Sequence, residues 1–100
     1  MLKSRRSYSY NGFSDYQTSL MYERVEEMPE IGELRDSFIH ECAESGFLPE
    51  ACAGDFANRL RYFLEEYTVS RIADSYFVEI IKEHIALICW REIAEEMLSR

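Results

Sequence analysis

Residues 72–88 read IADSYFVEIIKEHIALI, and the class of the fold turns on them. Their isoleucines and valine favour a strand by propensity alone. The charged residues decide otherwise. Glu79, Lys82 and Glu83 recur at helical rather than alternating positions, and Ile72, Tyr76, Phe77, Ile80, Ile81, His84, Ile85 and Ile88 supply an apolar periodicity of the same kind. The stretch reads as a helix, which removes the best strand candidate from the chain.

Working outward, Trp90, Ile93, Ala94, Met97 and Leu98 share one face of a last helix ending near Ser99, with Cys89 at a kink or a new helix start. Upstream, Thr68-Val69-Ser70 reads as a joint, because Thr and Ser hydroxyls compete for backbone hydrogen bonds. A third helix is expected to be capped by Asp55 after a break at Gly54, burying Phe56, Leu60, Phe63, Leu64 and Tyr67. Pro49 starts a short turn of helix through Cys52. The second helix runs from about Glu30 or Glu33 to Ser45 with Ile31, Leu34, Phe38, Ile39 and Cys42 inward, and Gly46 stops it. Pro29 separates it from a first helix carrying Tyr16, Leu20, Met21, Val25 and Met28, for which Ser14 and Gln17 form a capping box. The expectation is an all-α protein: a compact bundle of about five helices in one acidic domain, residues 13–100, behind a short basic arm, residues 1–12.

The chain has 100 residues, enough for one core, and 47% hydrophobic residues, enough to fill it. It contains no apolar run long enough to span a bilayer. Lys3, Arg5 and Arg6 are followed by polar residues and tyrosines instead of an apolar stretch, which argues against a secretory signal and predicts a cytoplasmic protein. Cys42, Cys52 and Cys89 are odd in number and lack C-x-x-C spacing, so they read as reduced, partly buried side chains.

Charge is more informative. The net charge is −8, and because the first twelve residues hold three basic groups and no acid, residues 13–100 carry −11. Such a body is repelled by phosphate backbones and attracted to basic surfaces. Tyr8, Tyr10, Tyr16, Tyr22, Tyr62, Tyr67 and Tyr76 exceed what a small core can bury, and exposed tyrosines are rigid contact residues.

Catalytic and metal-binding patterns are not found. His40 and His84 lack the Glu-x-x-His or His-Glu-x-x-His spacing that puts two ligands on one helical face; His40 and Glu44 read as a surface pair. A Cys42–His84 nucleophile pair has no Gly-rich turn to recommend it, and the four glycines are isolated. No enzyme, metal or cofactor is expected. The constellation that stands out is Glu23, Glu26, Glu27, Glu30, Glu33 and Asp36, six acids within fourteen residues, opposed by Arg24 and Arg35. Acids three and four apart on a helix repel by a few tenths of a kcal/mol each. An ordinary solvated face is one reading; a ridge that meets a basic partner, with Tyr22 beside it, is the other.

Two stretches are similar to a known family. Tyr10-Asn11-Gly12-Phe13-Ser14-Asp15-Tyr16-Gln17-Thr18 resembles the opening Tyr-Asn-Gly-Trp-Thr-Asn-Tyr-Glu-Thr-Trp of a family of small phage- and plasmid-borne proteins of unknown function. Cys89-Trp90-Arg91-Glu92-Ile93-Ala94-Glu95 resembles that family's closing Asn/Asp-Trp-x-Glu-Ile-Ala-Glu. Phe13 and Ser19 stand where the family has Trp, and Cys89 stands where it has a capping Asn or Asp, at a cost of about 1 kcal/mol. Physically both motifs read as structural, a capped first helix touching a Trp-anchored last one, and the resemblance implies a mobile-element origin more than any site. With the acidic body, it leads to the expectation of a stoichiometric inhibitor of the anti-CRISPR kind. Such a DNA mimic would block the basic, nucleic-acid-binding surface of a host protein or complex without binding nucleic acid or membrane itself. The alternative is a structural or regulatory homodimer that shares its tyrosines and the Ile80/Ile81/Ile85/Ile88 face between chains.

Overall fold

The structure is a computed structural model that describes residues 12–99; the basic arm, apart from Gly12, lies outside the described residues. The protein is all-α. Among the described residues five α-helices follow one another: α1 (Tyr16–Glu26), α2 (Pro29–Ser45), α3 (Ala53–Arg71), α4 (Ser75–Leu87) and α5 (Trp90–Leu98), with a 3₁₀ turn (Pro49–Cys52) leading into α3.

The shortest α-helix organises the rest. In α5, Trp90, Ile93, Ala94, Met97 and Leu98 recur at the spacing of one helical face, and all five are buried. This face packs chiefly on α3, where Phe56, Ala57, Leu60 and Leu64 are buried, and it also meets α1, α2 and the 3₁₀ turn. Trp90 is a core anchor whose Nε1–H donates to the Ile85 carbonyl at 2.8 Å, so its one polar atom is satisfied inside. Ile88 adopts extended φ/ψ (−70°, 141°) between α4 and α5, so the two helices are separate and Cys89 is the N-cap.

The turn into α5 is held from elsewhere in the chain. The Cys89 side chain makes no capping hydrogen bond; instead the Cys89 N–H donates to Thr18 Oγ1 of α1 at 3.0 Å, and the Ser14 N–H donates to Glu92 Oε1 at 3.0 Å. Thr18 is fully buried and Ser19 nearly so, which leaves no room for a large anchor at position 19. Phe13 is buried with its ring 5.0 Å from Tyr22. The two segments that resemble the family's ends therefore meet in space.

Several boundaries differ from the sequence reading. Asp15, not Ser14, caps α1, accepting from the Thr18 N–H at 2.7 Å, because the Ser14 backbone is turned toward Glu92. Helix α3 begins before Asp55, which sits in its first turn where a carboxylate suits the helix dipole, and Gly54 lies inside the helix. There is no joint at residues 68–70. Thr68 Oγ1 bonds the Leu64 carbonyl and Ser70 Oγ the Tyr67 carbonyl, so both hydroxyls are satisfied without breaking the helix. The break falls at residues 72–74, where Asp74 caps α4 through the Tyr76 N–H. Gly46 ends α2 as expected, in the left-handed conformation (φ 81°), with Phe47 N–H reaching the Cys42 carbonyl.

Removing the Thr18 hydroxyl tests this tie between α1 and the start of α5. Thr18→Val keeps the shape but strands the half-buried Cys89 N–H, and we expect a loss of about 1–2 kcal/mol in urea unfolding, with Thr18→Ser close to wild type.

Candidate functional site

The acidic stretch straddles a joint of two residues. Pro29 has no N–H to extend α1 and instead opens α2, with Met28 extended before it (φ −94°, ψ 115°). Val25, Met28 and Ile31 are buried on either side and pin the joint to the core, while the Met28 carbonyl accepts from Ile31 and Gly32. With those positions inward, the helical period turns Glu23, Glu26, Glu27, Glu30, Glu33 and Asp36 outward, and all six are exposed.

Electrostatically the ridge is acidic in excess. Glu23 and Glu26 lie in the last turn of α1 and Glu27 caps its end, where the helix dipole is already negative; Glu30, in the first turn of α2, is favourably placed. Arg24 reaches Glu27 at 3.8 Å. Arg35 lies 3.4 Å from Asp36, but its Nε–H donates to the Met97 carbonyl at 2.8 Å, so this half-buried cation mainly ties α2 to the end of α5. Six acids against two arginines leave the stretch at −4. Tyr22 is half-buried and packs on Phe13. The exposed tyrosines among the described residues are Tyr16, Tyr62 and Tyr76, none of them within the acidic stretch; Tyr8 and Tyr10 lie outside the described residues.

The other candidates from sequence are placed as follows. His40 pairs with Glu44 at 3.2 Å. Cys42 is buried beside Cys52 and Arg59, whereas His84 borders a groove against α1, so the two line different hollows. Burial pushes the Cys42 and Cys89 thiols up, away from the thiolate form a nucleophile needs. Glu41 and Arg59 join α2 to α3 through two hydrogen bonds, 2.8 and 3.2 Å, and Arg59 stacks over Phe38. The guanidinium holds the Glu41 carboxyl below its usual range, so this tie survives acidification through the ordinary carboxylate range and is lost only as pH falls below it. Among the described residues, no three His, Cys, Asp or Glu side chains are grouped to hold a metal ion, and no helix is long and apolar enough to cross a membrane.

One hollow was not legible in the sequence. A cleft of about 680 Å³ lies between the start of α3 and the start of α5, lined by Asp55, Asn58, Arg61, Trp90 and Arg91 among others. Its two arginines are each paired four residues on, Arg61 with Glu65 and Arg91 with Glu95, both at 3.2 Å. These pairings leave the cleft without a strong net charge.

The excess of acid on the ridge makes a stability prediction. Glu23 has acidic neighbours at Glu26 and Glu27, and Glu33 has them at Glu30 and Asp36. Glu23→Gln with Glu33→Gln should therefore stabilise the fold by about 0.5–1 kcal/mol at low salt. Thermal melting should show the gain shrinking at high ionic strength. Comparison of the chain with protein-family models, with curated proteins and with solved structures gives no match.

Proposed function

We propose that this protein is a stoichiometric protein binder whose acidic ridge occupies the basic, nucleic-acid-binding surface of a host protein or complex. The observation that carries the reading is the ridge. Glu23, Glu26, Glu27, Glu30, Glu33 and Asp36 are exposed across one short joint, three of them at the unfavourable end of α1, while Arg35 is drawn toward the Met97 carbonyl. A charge arrangement that costs folding energy and faces solvent is well suited to steering association with a cationic partner. The resemblance of both ends to a phage- and plasmid-borne family fits an inhibitor that imitates nucleic-acid charge within the host cytoplasm.

The direct test is capture of host proteins on the tagged chain at low salt and at about 0.5 M salt, beside a Glu23/Glu26/Glu27/Glu30→Gln variant. The expected result is a nucleic-acid-handling complex retained by the wild type and lost with salt or with the variant. A partner held equally well by the neutralised chain would refute the ridge as the binding surface.

A further inference from the structure

Helix α4 is amphipathic in an unusual direction. Ile85 is buried and Val78 and Ile81 are half-buried, so the inward stripe is filled. Yet the flank beside that stripe is also apolar and faces solvent: Tyr76 is 69% exposed, Phe77 54%, Ile80 43% and Leu87 77%, with His84 exposed among them. Phe77, Ile80, His84 and Leu87 are spaced three, four and three apart, the a-d-a-d pattern of a two-heptad seam. The Ile80/Ile81/Ile85/Ile88 set expected from sequence to be shared between chains divides here, because Ile85 and Ile88 belong to the protein's own core.

We propose that this seam is an interface with a second copy of the same chain, formed by antiparallel pairing of the two α4 helices. The seam is self-complementary about Lys82. In antiparallel register Phe77 meets the partner's Leu87 and Ile80 meets the partner's His84, and the two-fold axis repeats both layers. Antiparallel helices also oppose their dipoles. Charge does not bar this occupant: in a chain of net −8, α4 holds only two acids and one lysine. Beside the end of the seam, a groove of about 260 Å³ lined by Leu20, Met21, Arg24, His84 and Ile88 lies where the partner's Tyr76 and Phe77 would arrive; these two rings already pack edge-on, 5.6 Å apart. With exposed Leu20, the seam offers roughly 600 Å² per chain, about 1,200 Å² for a pair, the lower end of specific interfaces. The pairing is independent of the proposed inhibitor role, and a dimer would carry two ridges.

Sedimentation equilibrium of the purified full chain tests it without any host partner. The expected result is a dimer with a dissociation constant of about 1–100 μM. At pH 8, Ile80→Glu should weaken it by about 100-fold or more, because each copy would bury a carboxylate against the partner's His84 ring with no ammonium to pair it, while the circular dichroism spectrum stays that of wild type. His84→Leu should tighten it. Ile80→Glu combined with His84→Lys should restore pairing. Across an antiparallel seam each introduced carboxylate faces the introduced ammonium of the other copy, whereas across a parallel one each faces its own kind. A chain that stays monomeric at about 500 μM, well above the range for such an interface, would overturn the proposal. So would a dimer indifferent to Ile80→Glu, or a double variant that stays apart. A monomer whose α4 is protected from hydrogen exchange only while residues 1–11 are present would assign the face to that arm instead, and would also overturn it.

Discussion

The last helix starts on a hydrogen bond supplied by the first. Cys89 cannot do what an Asn or Asp would do at an N-cap, and its backbone N–H is met by a threonine hydroxyl 71 residues earlier in the chain. Everything central in the bundle follows from that placement. Once α5 begins at Trp90, its single apolar face is aimed at α3, and Trp90 reaches back to the end of α4. Arg35 of α2 then closes over the far end of α5 at the Met97 carbonyl. Both termini of a nine-residue helix are thus fixed by side chains from other helices, which suits a segment too short to be stable by itself.

Much of this was legible in the sequence, and the physical reasons are specific. The inward stripes of α2, α3 and α5 were readable because each faces the core along its whole length, so periodicity and burial coincide. The first and fourth helices were harder. Tyr16 and Leu20 share the apolar spacing of α1 and are exposed, and α4 has apolar residues on two sides, so periodicity alone could not say which side is core. The misplaced joint at residues 68–70 has a similar cause. A hydroxyl can bond the carbonyl of the preceding turn as readily as it can interrupt a helix, and only the Asp74-Ser75 capping pair marked the true break.

The acidic stretch was visible as composition, but its meaning depended on two things composition does not carry. One is where the arginines go: Arg24 remains at the ridge, and Arg35 is tied to a backbone carbonyl across the molecule. The other is where each acid sits relative to a helix end. Three lie at the negative end of α1 and one at the positive end of α2, so the same residue type is costly on one side of Pro29 and favourable on the other. Tyr22 carries a second contact that its place in the sequence does not show: beside the ridge, its ring also packs on Phe13 and helps hold α1 down.

The meeting of the first and last helices also sets a schedule for synthesis. A chain emerging from the ribosome can make α2 and α3 early, but their shared apolar faces have no lid until residues 90–98 have cleared the exit tunnel. Folding is therefore closed from its downstream end. Until that moment the α3 residues that α5 covers, Phe56 and Leu60 among them, lack their lid, and a chain in that state exposes apolar surface to aggregation.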